Sequence, residues 1–113
     1  MTAITKFEDL IAWQEARKLV SMIYKITSDG LFSKDFGLKD QIQRAAVSSM
    51  TNIAEGFDNE STVEFARFLG MARRSSVEVQ SLLYVALAQT ISKKKLSRPI
   101  MSKPERLKPL SED

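Results

Sequence analysis

The residues best placed to do chemistry in this 113-residue chain are Asn52 and Glu55, with Arg44 and Ser48 upstream of them. At about 100° per residue, Gln41, Arg44, Ser48, Asn52 and Glu55 fall on one ribbon of a helix. Arg67 and Arg73, further along, could supply partners from a second helix. One reading is a polar site inside a helical bundle. The other is structural: partly buried carboxylate, amide and guanidinium groups satisfy one another because unpaired burial is costly. The structural reading is preferred, because ion-pair networks perturb charged groups without any catalysis. A second constellation, Lys93, Lys94 and Lys95 with Arg98, could contact phosphates. A solvated basic tail is the simpler explanation.

Other chemistry is bounded by composition. The chain has no Cys and no His, which removes disulfides, thiolate and imidazole ligands, Cys nucleophiles and the commonest general base. Neither paired carboxylates for glycoside chemistry nor Glu-x-x-His pairs for a di-metal bundle are present. No Gly-rich phosphate loop and no Ser-x-x-Lys signature occurs. Trp13, Phe65 and Phe68 fall on apolar stripes and read as core rather than as base-stacking platforms. The expectation is a protein that is not an enzyme, with no cofactor, no metal and no small-molecule substrate. No signal-peptide pattern opens the chain and no apolar run is long enough for a membrane span, so a cytoplasmic location without membrane contact is expected.

The elements that position these residues are helices. Four Gly and three Pro are too few for a turn-rich all-β chain, and the length suits one domain that buries roughly 60 to 70% of its unfolded surface. The central stretch is Gln41 to Phe57, in which Ala45 to Ala54 carry no charge. A helix of that kind is buried nearly all round. Leu38, Ile42, Ala45, Ala46, Ser49 and Ile53 form its core stripe. Val47, Met50 and Ala54 make a further apolar side, which asks for another surface such as a second copy of the chain.

Apolar spacing predicts a first helix from about Glu8 to Ser28, with Leu10, Trp13, Ala16, Val20, Ile23 or Tyr24, and Thr27 inward. Leu19, Ala12 and Ile26 widen that face, and Asp29-Gly30 supplies the stop. The second helix is expected from Leu38 to Glu55, ending at Gly56. Ser61-Thr62-Val63-Glu64 matches a capping box and opens a third helix running to about Gln89. Its core stripe is Phe65, Phe68, Leu69, Ala72, Ser75 or Ser76, Val79, Leu82 or Leu83, and Ala86. A gentler strip of Val63, Ala66, Gly70, Val77, Tyr84 and Ala88 again asks for a neighbour.

After Gln89 the pattern changes. Ser92 to Arg98 could start a fourth helix, but Pro99, Pro104 and Pro109 exclude a long one. The chain therefore divides into a helical bundle, residues 1–90, and a basic proline-containing tail, residues 91–113, extended or disordered. The charge divides at the same place. Residues 1–90 hold ten Lys and Arg against eleven Asp and Glu, and residues 91–113 hold seven against three, so the body is not a basic protein. Without a full fourth helix, the groove between the first and third helices should stay open on one side, leaving part of the apolar face from Leu10 to Ile26 uncovered.

Several strings in this order resemble a known family. Phe7-Glu8-Asp9-Leu10, Trp13-Gln14, Ala16-Arg17, Gln41, Arg44-Ala45-Ala46-Val47-Ser48, Asn52-Ile53-Ala54-Glu55-Gly56-Phe57, Glu64-Phe65, Arg67-Phe68-Leu69 and Ala72-Arg73 look like the bacterial four-helix-bundle proteins of the 23S rRNA intervening-sequence type. That family is also labelled S23 ribosomal proteins. It is similar in turn to the accessory variability determinants of diversity-generating retroelements, pentameric bundles that associate with a reverse transcriptase and nucleic acid.

The resemblance spans residues 7 to 88 and implies an all-α, up-and-down four-helix bundle, with the fourth helix here short, broken by prolines or absent. It also implies a homopentamer and no enzymatic activity. Met50 stands where many relatives carry Pro, Arg74 where many carry Gly, and the tail looks like a replaced or frameshifted C-terminus. The expected function is a non-enzymatic oligomeric bundle acting as an adaptor for RNA or a nucleic-acid-processing partner. The alternative is a structural or protein-interaction module with no nucleic-acid binding.

Overall fold

The computed structural model describes residues 3–97. Three α-helices account for most of them: α1 (Ile11–Thr27), α2 (Phe36–Asp58) and α3 (Thr62–Ser97). Single 3-10 turns, Phe7–Asp9 and Phe32–Lys34, precede α1 and α2. No strand occurs among the described residues.

Each boundary has a local cause. The 3-10 turn before α1 is tied to it by Gln14, whose Nε2 donates to the Glu8 carbonyl at 3.0 Å. At the other end Ser28 Oγ donates to the Lys25 carbonyl at 2.8 Å, and Gly30 adopts φ +62°, the left-handed turn that the Asp29-Gly30 pair predicts. Helix α2 starts earlier than the sequence stripe does, because Asp35 caps it by accepting from the Leu38 N–H at 3.2 Å. It also ends later, at Asp58, and passes straight through Gly56. At α3, Ser61 Oγ accepts from the Glu64 N–H at 3.3 Å. Only this half of the capping box forms, because the Glu64 carboxylate turns instead to Arg67, 2.9 Å from Nε and 2.8 Å from Nη2.

Chain order runs up, down, up. Ile23 of α1, Ile42, Ala45 and Ala46 of α2, and Val79 and Leu82 of α3 share one buried cluster, with Leu19, Val20, Phe32, Leu38 and Leu83 packed around it. Ala16, Ile53 and Ala72 form a second, beside Leu10, Trp13 and Met50. Successive layers thus pair falling α2 numbers with rising α1 and α3 numbers, the signature of antiparallel neighbours. The expected stripes on α1 and α2 face the core, with Ile23 rather than Tyr24 inward, but Ala12 and Ile26, expected to widen the α1 face, are exposed, as is Leu69 of the α3 stripe, because these residues lie at the rims of the stripes.

Packing is uneven. Helix α2 contacts both other helices along its length, whereas the backbones of α1 and α3 scarcely approach each other. The α2 and α3 backbones come close at Gly56, where an added Cβ would lie 2.6 Å from Phe68 Cβ and 3.1 Å from Phe65 Cδ1. Gly56 is therefore a buried contact glycine inside the last turn of α2, which runs on to Asp58 rather than stopping there. Phe57 and Phe65 close this end edge to face, ring centroids 5.9 Å apart.

Helix α3 is longer than its core stripe. It runs 36 residues, about 54 Å at 1.5 Å per residue, so residues 92–97 continue α3 rather than begin a separate helix. The tail expected to be extended or disordered, residues 91–113, is thus helical as far as Ser97, and residues 98–113 lie outside the described residues.

Candidate functional site

The predicted polar ribbon divides into two unlike halves. Its centre is a real hydrogen-bonded cluster: Asn52 Nδ2 donates to the Ser48 carbonyl at 2.8 Å and lies 3.0 Å from Ser48 Oγ. Ser75 Oγ of α3 completes it, donating to Ser48 Oγ at 2.9 Å. All three side chains are half-buried between α2 and α3. Small hydroxyl and amide groups fit here because the helices approach closely, and each bond removes a cost that burial would otherwise impose.

The charged members of the ribbon do not join that cluster. Arg44 turns outward to Asp40, with Nε 3.3 Å from Oδ2 and both side chains well exposed. Arg67 pairs with Glu64 one turn earlier on its own helix, at 2.8 Å, and lies over the Phe68 ring at 4.9 Å. The hydrogen bond from Glu64, and then its charge, raise the Arg67 guanidinium pKa above its ordinary value. Glu55 and Arg73 are exposed. The expectation that Arg44, Glu55, Arg67 and Arg73 satisfy one another in a buried network is thus corrected. Each long side chain reaches water from the edge of the α2–α3 seam, and local pairs at i, i+3 and i, i+4 are nearer than any partner across it.

Two pairs that the ribbon did not anticipate stand nearby. Gln43 Nε2 donates to Thr27 Oγ1 at 3.0 Å, joining α2 to the buried last turn of α1, while the Thr27 hydroxyl donates to the Ile23 carbonyl at 2.7 Å. Gln41 Nε2 donates to Glu78 Oε2 of α3 at 3.3 Å. A polar residue on an apolar stripe, as Thr27 is at the end of the α1 stripe, was the available signal for the first of these contacts. No buried side-chain nitrogen or oxygen among the described residues lacks a partner.

What the seam can do chemically follows from its members. Ser48, Asn52 and Ser75 donate and accept hydrogen bonds but neither gain nor lose a proton near neutral pH. On the outer side of α1 and α2, Tyr24, Asp40, Gln43, Arg44, Val47, Ser48 and Thr51 line an open, shallow groove. Among the described residues no group of three or more His, Cys, Asp and Glu could hold a metal ion, and no helix is long and apolar enough to cross a membrane. Lys93, Lys94 and Lys95 lie in the last turns of α3; their side chains and all of Arg98 lie outside the described residues.

The more distinctive surface is apolar. Along the outer side of α3, Val63, Val77 and Tyr84 are 76%, 55% and 74% exposed, with exposed Ala66 and Ala88 and half-buried Gly70 between them. This is the second strip expected from the sequence, and it stays exposed among the described residues.

Fold and surface together define an all-helical, antiparallel packing protein whose central helix is uncharged from residue 45 to residue 54 and whose longest helix presents an apolar strip that no described residue covers. The chain belongs to the 23S rRNA-intervening sequence protein family, whose pattern matches residues 8–111. The match continues well past Ala88, where the resemblance was expected to end, and takes in most of the tail. Among curated proteins none matches the chain.

Proposed function

We propose that the protein is a non-enzymatic, oligomeric helical-bundle protein of the bacterial cytoplasm that acts as an adaptor for RNA or a nucleic-acid-processing partner. It is built on the up-and-down four-helix plan, with the fourth helix short, broken by prolines or absent. The observation that carries this reading is the exposed strip on α3. Apolar side chains as open as Val63 and Tyr84, separated by Ala and Gly that let another helix approach, suit association between copies of one chain. A homopentamer is the assembly that the family resemblance favours. The nucleic-acid part rests on that resemblance and on Lys93, Lys94, Lys95 and Arg98, a basic run at one end of a body that is otherwise near neutral.

Sedimentation of the purified chain tests the assembly: several subunits are expected, five by resemblance, and Tyr84→Glu should dissociate them without loss of helix. Filter retention of a structured RNA across a salt series tests the adaptor role. Affinity should fall steeply as salt rises, through counterion release. Retention that is absent even at low salt would leave a protein-interaction module without nucleic-acid binding.

A further inference from the structure

The three helices turn unlike faces outward. At about 100° per residue, the outward face of α3 carries Val63, Gly70, Val77 and Tyr84, flanked by Arg73 on one side and Arg74 on the other. Glu64 and Glu78 lie off this face, bonded to Arg67 and to Gln41 of α2. The outward face of α1 is basic too, with exposed Lys18 and Lys25 on it. That of α2 is different: Asp40, Glu55 and Asp58 stand there with Arg44, around Val47 and Thr51. Asp40 is already 3.3 Å from Arg44. Arg73, Arg74, Glu55 and Asp58 are all exposed, and among the described residues none of them stands in an ion pair. One helix thus offers two arginines beside an apolar strip, and another offers two free carboxylates.

We propose that the α3 strip docks on the outward face of α2 in a second copy of the chain, with the two helices antiparallel. This contact rests on the oligomeric reading above and names the surface that meets the strip. Charge selects it. Strip against strip, crossing at mid-length, would bring Arg73 and Arg74 against the same arginines of the other copy, and the α1 face would oppose them with Lys18 and Lys25; like charges so placed disfavour association. Only α2, among the three helices, turns free carboxylates outward to receive them.

Spacing then sets the direction. Along α3, Val77 lies about 4.5 Å and Tyr84 about 15 Å beyond Arg74. From Glu55 back towards the start of α2, Thr51 lies at about 6 Å, Val47 at about 12 Å and Arg44 at about 17 Å. With Arg74 level with Glu55 and the helices antiparallel, Val77 meets Thr51, and Tyr84 falls between Val47 and Arg44. Those two residues, with Tyr24, line the open groove on the outer side of α1 and α2, so the 74% exposed ring of Tyr84 enters a concavity. A parallel helix with the same arginine contact would carry Tyr84 about 15 Å beyond Glu55, past Asp58, where α2 ends. Because the two faces differ, the contact is heterologous, and each added subunit leaves one strip and one α2 face free until a ring closes.

The chain has no native Cys, so an introduced thiol is unique. Full-length Thr51→Cys and Val77→Cys chains, co-expressed, purified together and treated with a short bis-maleimide, should give linked pairs holding one of each several-fold more often than pairs of like chains. Val77→Cys chains that link to one another as readily as to Thr51→Cys chains would overturn this contact and make the strips meet each other, while the oligomeric reading stood. Sedimentation supplies the second measurement. Glu55→Arg, and Arg73→Glu with Arg74→Glu, should each weaken assembly several-fold without loss of helix, and all three changes in one chain should recover most of the loss. Assembly that withstands Glu55→Arg, or that the combined variant fails to recover, would overturn the contact alone. An unaltered chain that sediments as a monomer at every concentration would overturn the oligomeric reading with it.

Discussion

The two sides of α3 are held by different physics. Against α2 it sits in a close seam, Ala45, Ser48, Asn52 and Gly56 on one helix facing Phe68, Ala72 and Ser75 on the other, tight enough that a single Cβ at Gly56 would collide with Phe68. Towards α1 the backbones stand apart, and large side chains such as Ile23, Val79 and Leu82 fill the centre. The first interface is fixed by shape and by the Ser48–Asn52–Ser75 hydrogen bonds. The second is fixed by apolar volume alone. A shape-fixed seam should punish added atoms, and a volume-fixed centre should punish removed ones.

The largest effect should come from removing volume. Ile42 is fully buried at the junction of all three helices, and Ile42→Ala is expected to cost about 2 to 5 kcal/mol, from lost transfer energy and the cavity left behind. Thermal or urea unfolding of the variant at fixed subunit concentration measures it. A cost below that range would show that the centre is loose enough to collapse, and the contrast with the seam would weaken.

The next effect comes from adding a single methyl group. Gly56→Ala places a Cβ 2.6 Å from Phe68 Cβ, whereas Gly37→Ala in the same helix meets nothing within 4 Å. Overpacking should make Gly56→Ala destabilising by about 1 to 3 kcal/mol, even though alanine is the better helix former. At Gly37 the propensity gain should stand alone, a stabilisation of up to about 1 kcal/mol. Opposite signs in paired melting curves would separate the tight seam from ordinary helix surface. Equal signs would mean that α2 and α3 slide apart to admit the methyl group.

How much of this was readable beforehand follows the same division. Periodicity carries volume: the buried faces of α1 and α2, from Ala16 to Thr27 and from Ile42 to Ile53, stand in the sequence because each needs one apolar residue per turn. Shape carries less of a signature. Gly56 reads as a helix stop from its neighbours, since a contact glycine and a terminal glycine look alike until the partner helix is placed. Asp35 was missed as a cap because the apolar stripe begins only at Leu38, and Ser75 could not be told from Ser76 as the inward residue. Charge was the least readable. The ribbon from Arg44 to Glu55 shares one face by angle, but angle does not say whether that face lies in the seam or at its rim.

Glu55 tests that last distinction with the smallest expected effect. Were it buried beside an arginine, removing it would strand a charge and cost about 3 to 5 kcal/mol. Its side chain is exposed, and the arginines of the ribbon have nearer partners in Asp40 and Glu64. In the folded chain Glu55→Ala should therefore change stability by no more than about 0.5 kcal/mol, as at other surface positions. The measurement should be made with the Tyr84→Glu change present, so that subunit contacts are weakened and only the single-chain fold is read. A small shift there, joined to a large one in the assembled protein, would move Glu55 from the rim of the α2–α3 seam to an interface between subunits. A large shift in both would place it inside the seam after all, and the shape-fixed side of α3 would then depend on charge as well as on fit.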